Sequence, residues 1–260
     1  MAAMVSEPSL RIVHISDLHF GDSRFVAEWG RAVAARIEEA CPAVTVVTGD
    51  LTAEGTSNEY EQADRFLAHL PTGVLLVVPG EHDARNGGLA RFEEVFGTRC
   101  PVYEDDAVVI CGIDSSQPQT EDDHAGSRDL ARIADVLSPD PRVRILATHH
   151  GPIPSPATGR ECGVPDHADD VTGFWDGTEV DLVLTGHQHR PFVRRRGSMH
   201  VVAAGTATLR RPEYRSFPSF NVIAVGAETI RVQLVDVAGG WGTQTIATRP
   251  VRREAVRTDG

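Results

Sequence analysis

The stretch Arg11–Gly21 reads RIVHISDLHFG. Ile12, Val13, His14 and Ile15 form a short run suited to a buried strand. Asp17 and His19 follow just past its end. In extended chain, side chains two apart point the same way, so these two are expected to reach one point from one side. A carboxylate oxygen and an imidazole nitrogen aimed together make half a transition-metal site. Whether that half is completed depends on how the later strands end.

Outward from this stretch, the chain alternates strand and helix. A helix is expected over Phe25–Ala40, capped by Asp22 or Ser23, with Val26, Trp29, Val33 and Ile37 inward. Val44–Thr48 reads as the second strand. Asn58 and Glu61 read as the capping box of a helix through Leu70. Val74–Val78 is the third strand, and Leu89–Phe96 a short helix. Val108–Ile110 is the fourth strand. Ser127 caps a helix with Leu130, Ile133, Val136 and Leu137 inward. Val143–Ala147 and Asp181–Leu184 are the fifth and sixth strands. Val201–Ala204, Phe220–Val225, Ile230–Val235 and Thr243–Ile246 then read as strands with no helix between them. Residues 247–260 are polar and expected to fray. The pattern predicts an α/β fold, two sheets face to face with helices outside. No linker stands out, so one domain over residues 1–260 is expected.

Five of these strands end in metal-ligating residue types. They are Asp17 and His19, Asp50, Glu81 and His82, His149 and His150, and His187 and His189. Ligands of open α/β sheets gather at the carboxyl ends of strands. Gly49, Gly80 and Gly186 each precede a candidate, where tight turns need backbone freedom. Six or seven ligands exceed one tetrahedral zinc and suit two metals roughly 3.5–4 Å apart. Two metals can hold a deprotonated water as nucleophile, neutralise phosphate oxygens and fix in-line geometry. The leaving group then needs a proton from a histidine near the site but off the metal.

Composition narrows the partners. The 260 residues carry 25 basic and 37 acidic side chains, a net charge of −12. That balance argues against a nucleic-acid polymer or an anionic membrane, but not against a small phosphate ester met through bound cations. The N-terminus has no basic and apolar leader pattern, and no apolar run is long enough to span a bilayer. Cys41, Cys100, Cys111 and Cys162 show no C-x-x-C pairing. Buried free thiols in the cytoplasm are the expectation. Homo-oligomerisation stays open.

In this order the motifs resemble the calcineurin-like metallophosphoesterases. The family's D-x-H, G-D, G-N-H-D/E, H and G-H-x-H stand here as Asp17-Leu18-His19, Gly49-Asp50, Gly80-Glu81-His82-Asp83, His149 and Gly186-His187-Gln188-His189. The surrounding HISDLHFG and GDLTAEGTSNEY are similar to the class III cyclic-nucleotide phosphodiesterase branch. The G-D-x-V-D-R-G of the protein phosphatase branch is absent. The resemblance implies an αββα sandwich and a phosphodiesterase using two Mn, Fe or Zn ions on a cyclic nucleotide or similar small diester. It also implies roles. Asp17, His19 and His189 would hold the first metal, Asp50 would bridge, and His149 and His187 would hold the second. His82 would be the proton donor, with Asp83 orienting it. His150 would lie near the substrate or be merely packed. Arg160, in the loop Gly151–Phe174, could meet a phosphate, and His167 or Trp175 a leaving group.

Glu81 departs from the family, which has asparagine there. Three readings stay open: Glu81 ligates the second metal, it reaches past the site and leaves that metal weak, or it inactivates. The alternative function is therefore a degenerate member that binds metal or nucleotide without turnover.

Overall fold

A computed structural model describes residues 10–116, 135, 141–153, 180–210, 217–226, 229–237 and 245–246. Two six-stranded mixed sheets form its frame. In the first, β1 (Leu10–Ile15), β2 (Val44–Thr48) and β3 (Val74–Val78) run parallel. On the other side of β1, β10 (Ser219–Val225), β11 (Ile230–Asp236) and β12 (Thr245–Ile246) continue it antiparallel. In the second sheet, β5 (Val108–Ile113), β6 (Val143–Thr148), β7 (Leu182–Thr185) and β9 (Met199–Ala203) are parallel. Its edges are β4 (Val102–Glu104) and β8 (Phe192–Arg196), both antiparallel to their neighbours.

The period-two alternation of the strands sets which core each side chain joins. Ile12, Val46 and Val78 meet Ile110, Ile145, Leu184 and Val202 in the layer between the sheets. The intervening Val13, Ile15, Val47 and Val77 face outward, under α1 (Ala27–Ala40), α2 (Ser57–Ala68) and α3 (Gly88–Phe96). Those helices bury Val33, Ile37, Tyr60, Ala63, Leu67 and Phe92 against them. The outer face of the second sheet carries a smaller cluster around Val109, Leu146, Val183 and Val201. With both faces covered, β2 and β6 are buried at every residue, as parallel strands between layers must be.

Several local expectations shift. α1 begins at Ala27, after Val26. Asp22 does not cap it, because its carboxylate is taken by the backbone N–H and guanidinium of Arg24. The capping box of α2 is Thr56 with Glu59, two residues earlier than Asn58 with Glu61. Glu59 is buried and accepts from Glu54 N and Thr56 N at 3.0 Å each, which selects that register. Strand β8 was not anticipated, since its three arginines mask it in the sequence. They fit an edge, where charge blocks further pairing. Cys41 is exposed rather than buried, while Cys111 is buried as expected. The helix expected after Ser127 (apart from residue 135), the polar tail, Cys162 and most of the loop Gly151–Phe174, with Arg160 and His167, lie outside the described residues, as does Trp175.

Candidate metal centre

The parallel strands of both sheets bring their carboxyl ends to one edge of the sandwich. There the sheets are pinned together. His149 Nδ1, after β6, donates to the carbonyl of Thr48 at the end of β2 (2.6 Å). Gly186 after β7 packs so closely on the turn after β1 that a Cβ would clash with Ser16 Oγ and lie 2.8 Å from Asp17 Oδ2. Of the three glycines that precede candidates, Gly49 alone takes left-handed backbone (φ 85°). A Cβ there would also meet His149 Nδ1 at 2.7 Å. Gly186 is therefore required for close approach, not for its dihedral angles.

Asp17 and His19 converge by a different route from the one expected. β1 stops at Ile15, and both residues have positive φ (56° and 47°). The chain bends along the loop after β2, with Asp17 N, His19 N and Phe20 N bonded to the carbonyls of Gly49, Asp50 and Leu51. Asp50, His187 and His189 are also left-handed. Asp and His tolerate this region better than most side chains. Strain concentrated on five candidate ligands fits a site that the surrounding structure holds in place.

The candidate ligands form two four-residue groups, and Asp50, Glu81 and His82 make a smaller third. Asp17, His19, Asp50 and His189 are all buried, and their donor atoms lie within 4.8 Å of one another. His189 Nε2 is 2.9 Å from Asp17 Oδ1 and 3.0 Å from His19 Nε2. Glu81, His149, His150 and His187 make the second group. Glu81 Oε2 is 2.7 Å from His149 Nε2 and 3.3 Å from His150 Nε2, and Oε1 is 2.8 Å from His187 Nδ1. Between the groups, Asp50 Oδ2 is 3.5 Å from His19 Nε2 and 3.5 Å from His149 Nε2.

The donor set suits cations. Asp17 Oδ1, Glu81 Oε2 and His149 Nε2 are buried without a hydrogen-bond partner. Glu81 and His149 are close, but not aligned for a hydrogen bond. Burial opposes charge on Asp17, Asp50 and Glu81, yet the neighbouring histidines hold all three below the ordinary carboxylate range. Burial likewise opposes a proton on His149, but Asp50 and Glu81 hold its pKa well above the usual imidazole value. The histidines offset the charge of buried Asp17 and Asp50 and of partly buried Glu81, a task a metal ion performs with greater charge.

His82 stands beside this centre, its side chain 23% exposed and its Nε2 4.0 Å from Asp50 Oδ2. Its Nδ1 donates to the carbonyl of Ala53 (2.7 Å), which leaves Nε2 as the atom facing the site. Its backbone N–H donates to Asp50 Oδ1 (2.9 Å). Asp83 does not orient this ring. Its buried carboxylate accepts from Leu51 N, Thr52 N, Thr52 Oγ1 and Gly80 N, tying the loops after β2 and β3 together. Burial and the charge of Asp50 push Asp83 up to about 6, against the pull of those bonds. We expect Asp83→Asn to lower unfolding free energy by about 2–4 kcal/mol, because an amide NH2 must face backbone N–H donors. Chemical denaturation of the metal-free protein checks this, and an unchanged midpoint and slope would refute it.

His150 groups with the second cluster, and its Nδ1 donates to Ser115 O (2.8 Å). Arg85 went unnoticed in the sequence. Its guanidinium reaches His82, and its place three residues after His82 was the available signal.

A family model for calcineurin-like phosphoesterase matches residues 10–191. A Synechococcus sp. protein named "Probable cyclic nucleotide phosphodiesterase" is 26% identical over 201 residues, 73% of this chain and 77% of that protein. A Rhodococcus erythropolis protein of the same name is 26% identical over 206 residues, 72% of this chain and 67% of its own. Among solved structures, a dimetal phosphatase from Danio rerio shares the fold at TM-score 0.66 and 11% identity, covering 94% of this chain and 100% of that one. GAP50 from Plasmodium superposes at TM-score 0.71 with 14% identity, covering 96% of this chain and 90% of its own. The chain belongs to the calcineurin-like phosphoesterase family.

Proposed function

We propose that this protein is a hydrolase of small phosphodiesters, with two metal ions at the centre described above. The observation that carries the reading is the set of buried, unpartnered donor atoms on Asp17, Glu81 and His149, in two clusters with Asp50 between them. Asp17, His19 and His189 would hold one ion, and Glu81, His149 and His187 the other, with Asp50 reaching both. Bound there, the ions would supply Lewis acidity toward phosphate and water. The chain does the rest. His82 Nε2 is the atom placed to protonate a leaving oxygen, and its backbone bond to Asp50 fixes it relative to both clusters. Thr48 O orients the His149 ring, so that its Nε2 lone pair faces Glu81 and Asp50.

A diester carries one negative charge, and the protein's charge is −12. Cations at the centre reverse that sign locally, which favours a small anionic ester over a long polyanion. The relatives' names support a cyclic nucleotide as the substrate class. No helix among the described residues is long and apolar enough to cross a membrane. The test is metal analysis combined with assay on an aryl phosphodiester. We expect two ions per chain when Mn, Fe or Zn is supplied, with activity following the second. One ion or none at saturating metal would sink the two-metal reading.

A further inference from the structure

Arg85 has no part in the proposed metal sites, yet its guanidinium is built into their mouth. One terminal nitrogen, Nη1, is anchored to the loop after β2. It donates to Ala53 O at 3.1 Å and to Glu54 Oε1 at 2.8 Å. The other, Nη2, points away from that anchor and donates to His82 Nε2 at 3.2 Å, since that ring gives its Nδ1–H to Ala53 O. Ala53 O receives both His82 Nδ1 and Arg85 Nη1, so one carbonyl sets both side chains. The arginine side chain is 41% exposed, so a ligand can reach it.

A surface ion pair with Glu54 alone would be worth little. When His82 carries the proton it is to donate, Nε2 no longer accepts from Nη2; both groups, still held by Ala53 O, are then donors that can close on one acceptor at about 2.8–3.0 Å each. Nη2 and His82 Nε2 therefore define one place for an oxygen. That place lies on the His82 side of Asp50, where a leaving oxygen would be protonated.

Resting on the phosphodiesterase reading, we propose that Arg85 binds the leaving-group oxygen of the substrate together with His82. In the step, water adds to phosphorus and the bond from phosphorus to the leaving oxygen breaks. That oxygen keeps the electron pair and takes one proton from His82 Nε2. A proton derived from the water returns to His82 through solvent. Arg85 gives up no proton; its hydrogen bond strengthens as negative charge grows on the oxygen. The ligand class is an ester whose leaving group is a poorly acidic alcohol, where this help matters most.

The experiment uses metal-loaded full-length protein and methyl aryl phosphodiesters from 4-nitrophenyl to unsubstituted phenyl. Arg85→Ala should lower kcat about 10²-fold on the phenyl ester and by less than about 10-fold on the nitrophenyl ester. Metal content should be unchanged. Arg85→Lys should recover part of the loss, since it keeps the charge but not the fork. The double variant His82→Ala/Arg85→Ala should lose less than the product of the two single losses, because both donors serve one oxygen. An equal factor on every ester, fully multiplicative losses, or no loss at all would overturn the role of Arg85 while leaving the two-metal reading intact. Wild-type protein inactive on the whole series would instead overturn the phosphodiesterase reading and this inference with it.

Discussion

Replacing His82 by alanine should lower turnover by about 10²–10⁴-fold while the metal content stays the same. The reasoning starts from the ring's two nitrogens. Nδ1 is committed to the carbonyl of Ala53, so Nε2 is the atom left for chemistry. In the proposed assignment His19, His149, His187 and His189 each offer a ring nitrogen to a cation; His150 keeps its Nε2 off the ions, but burial holds its pKa down at about 4. Loss of the proton donor should hurt most where the leaving alcohol is least acidic. The comparison is therefore between a nitrophenyl ester and an alkyl ester, each assayed with metal-saturated wild type and variant. Equal losses on both would remove the general-acid role, and a fall in bound metal would move His82 into the ligand set with Asp50 and Glu81.

The candidate ligands were legible because each sits within a few residues of a strand end. Ile12–Ile15, Val44–Thr48, Val74–Val78, Val143–Ala147 and Asp181–Leu184 announce themselves as apolar runs, and the polar residues after them are conspicuous. What the runs could not give is the path of the chain beyond the strand. Asp17 and His19 looked like neighbours on one extended face, whereas positive φ at both brings them together. That bend comes from tertiary pairing with residues 49–51, which local sequence does not encode. Asp83 failed for a related reason. Adjacent residues in a tight turn point in different directions, and its carboxylate found four donors on the loops beside it. Arg85 was missed because a single arginine in a polar turn resembles any solvated cation until its contacts are seen.

The edges of the second sheet show the same limit. β4 and β8 are short, partly exposed edge strands with little alternation to mark them. Edge strands carry less apolar signal by design, since their outer side must discourage pairing. The central strands, covered on both faces, could hardly be missed.

Glu81→Asn should weaken the second metal position and raise turnover per metal-loaded enzyme. The carboxylate of Glu81 lies among His149, His150 and His187 rather than beyond them. A charged oxygen there should hold a cation more tightly than an amide oxygen would. The same charge should make that cation a poorer acid toward water and phosphate. It also adds one negative charge beside Asp50, against an anionic substrate. Removing the charge while keeping an oxygen donor should therefore trade affinity for rate. Glu81→Ala should lose the second metal without gaining rate, because the oxygen donor goes too. A metal titration of activity for wild type and both variants separates these cases. The variant Glu81→Asn should need about tenfold more metal for half-activation and exceed wild type at saturation. Were it to bind metal as tightly as wild type and hydrolyse no faster, Glu81 would not be a ligand. Its contacts with the three histidines would then be ion pairing within the metal-free centre.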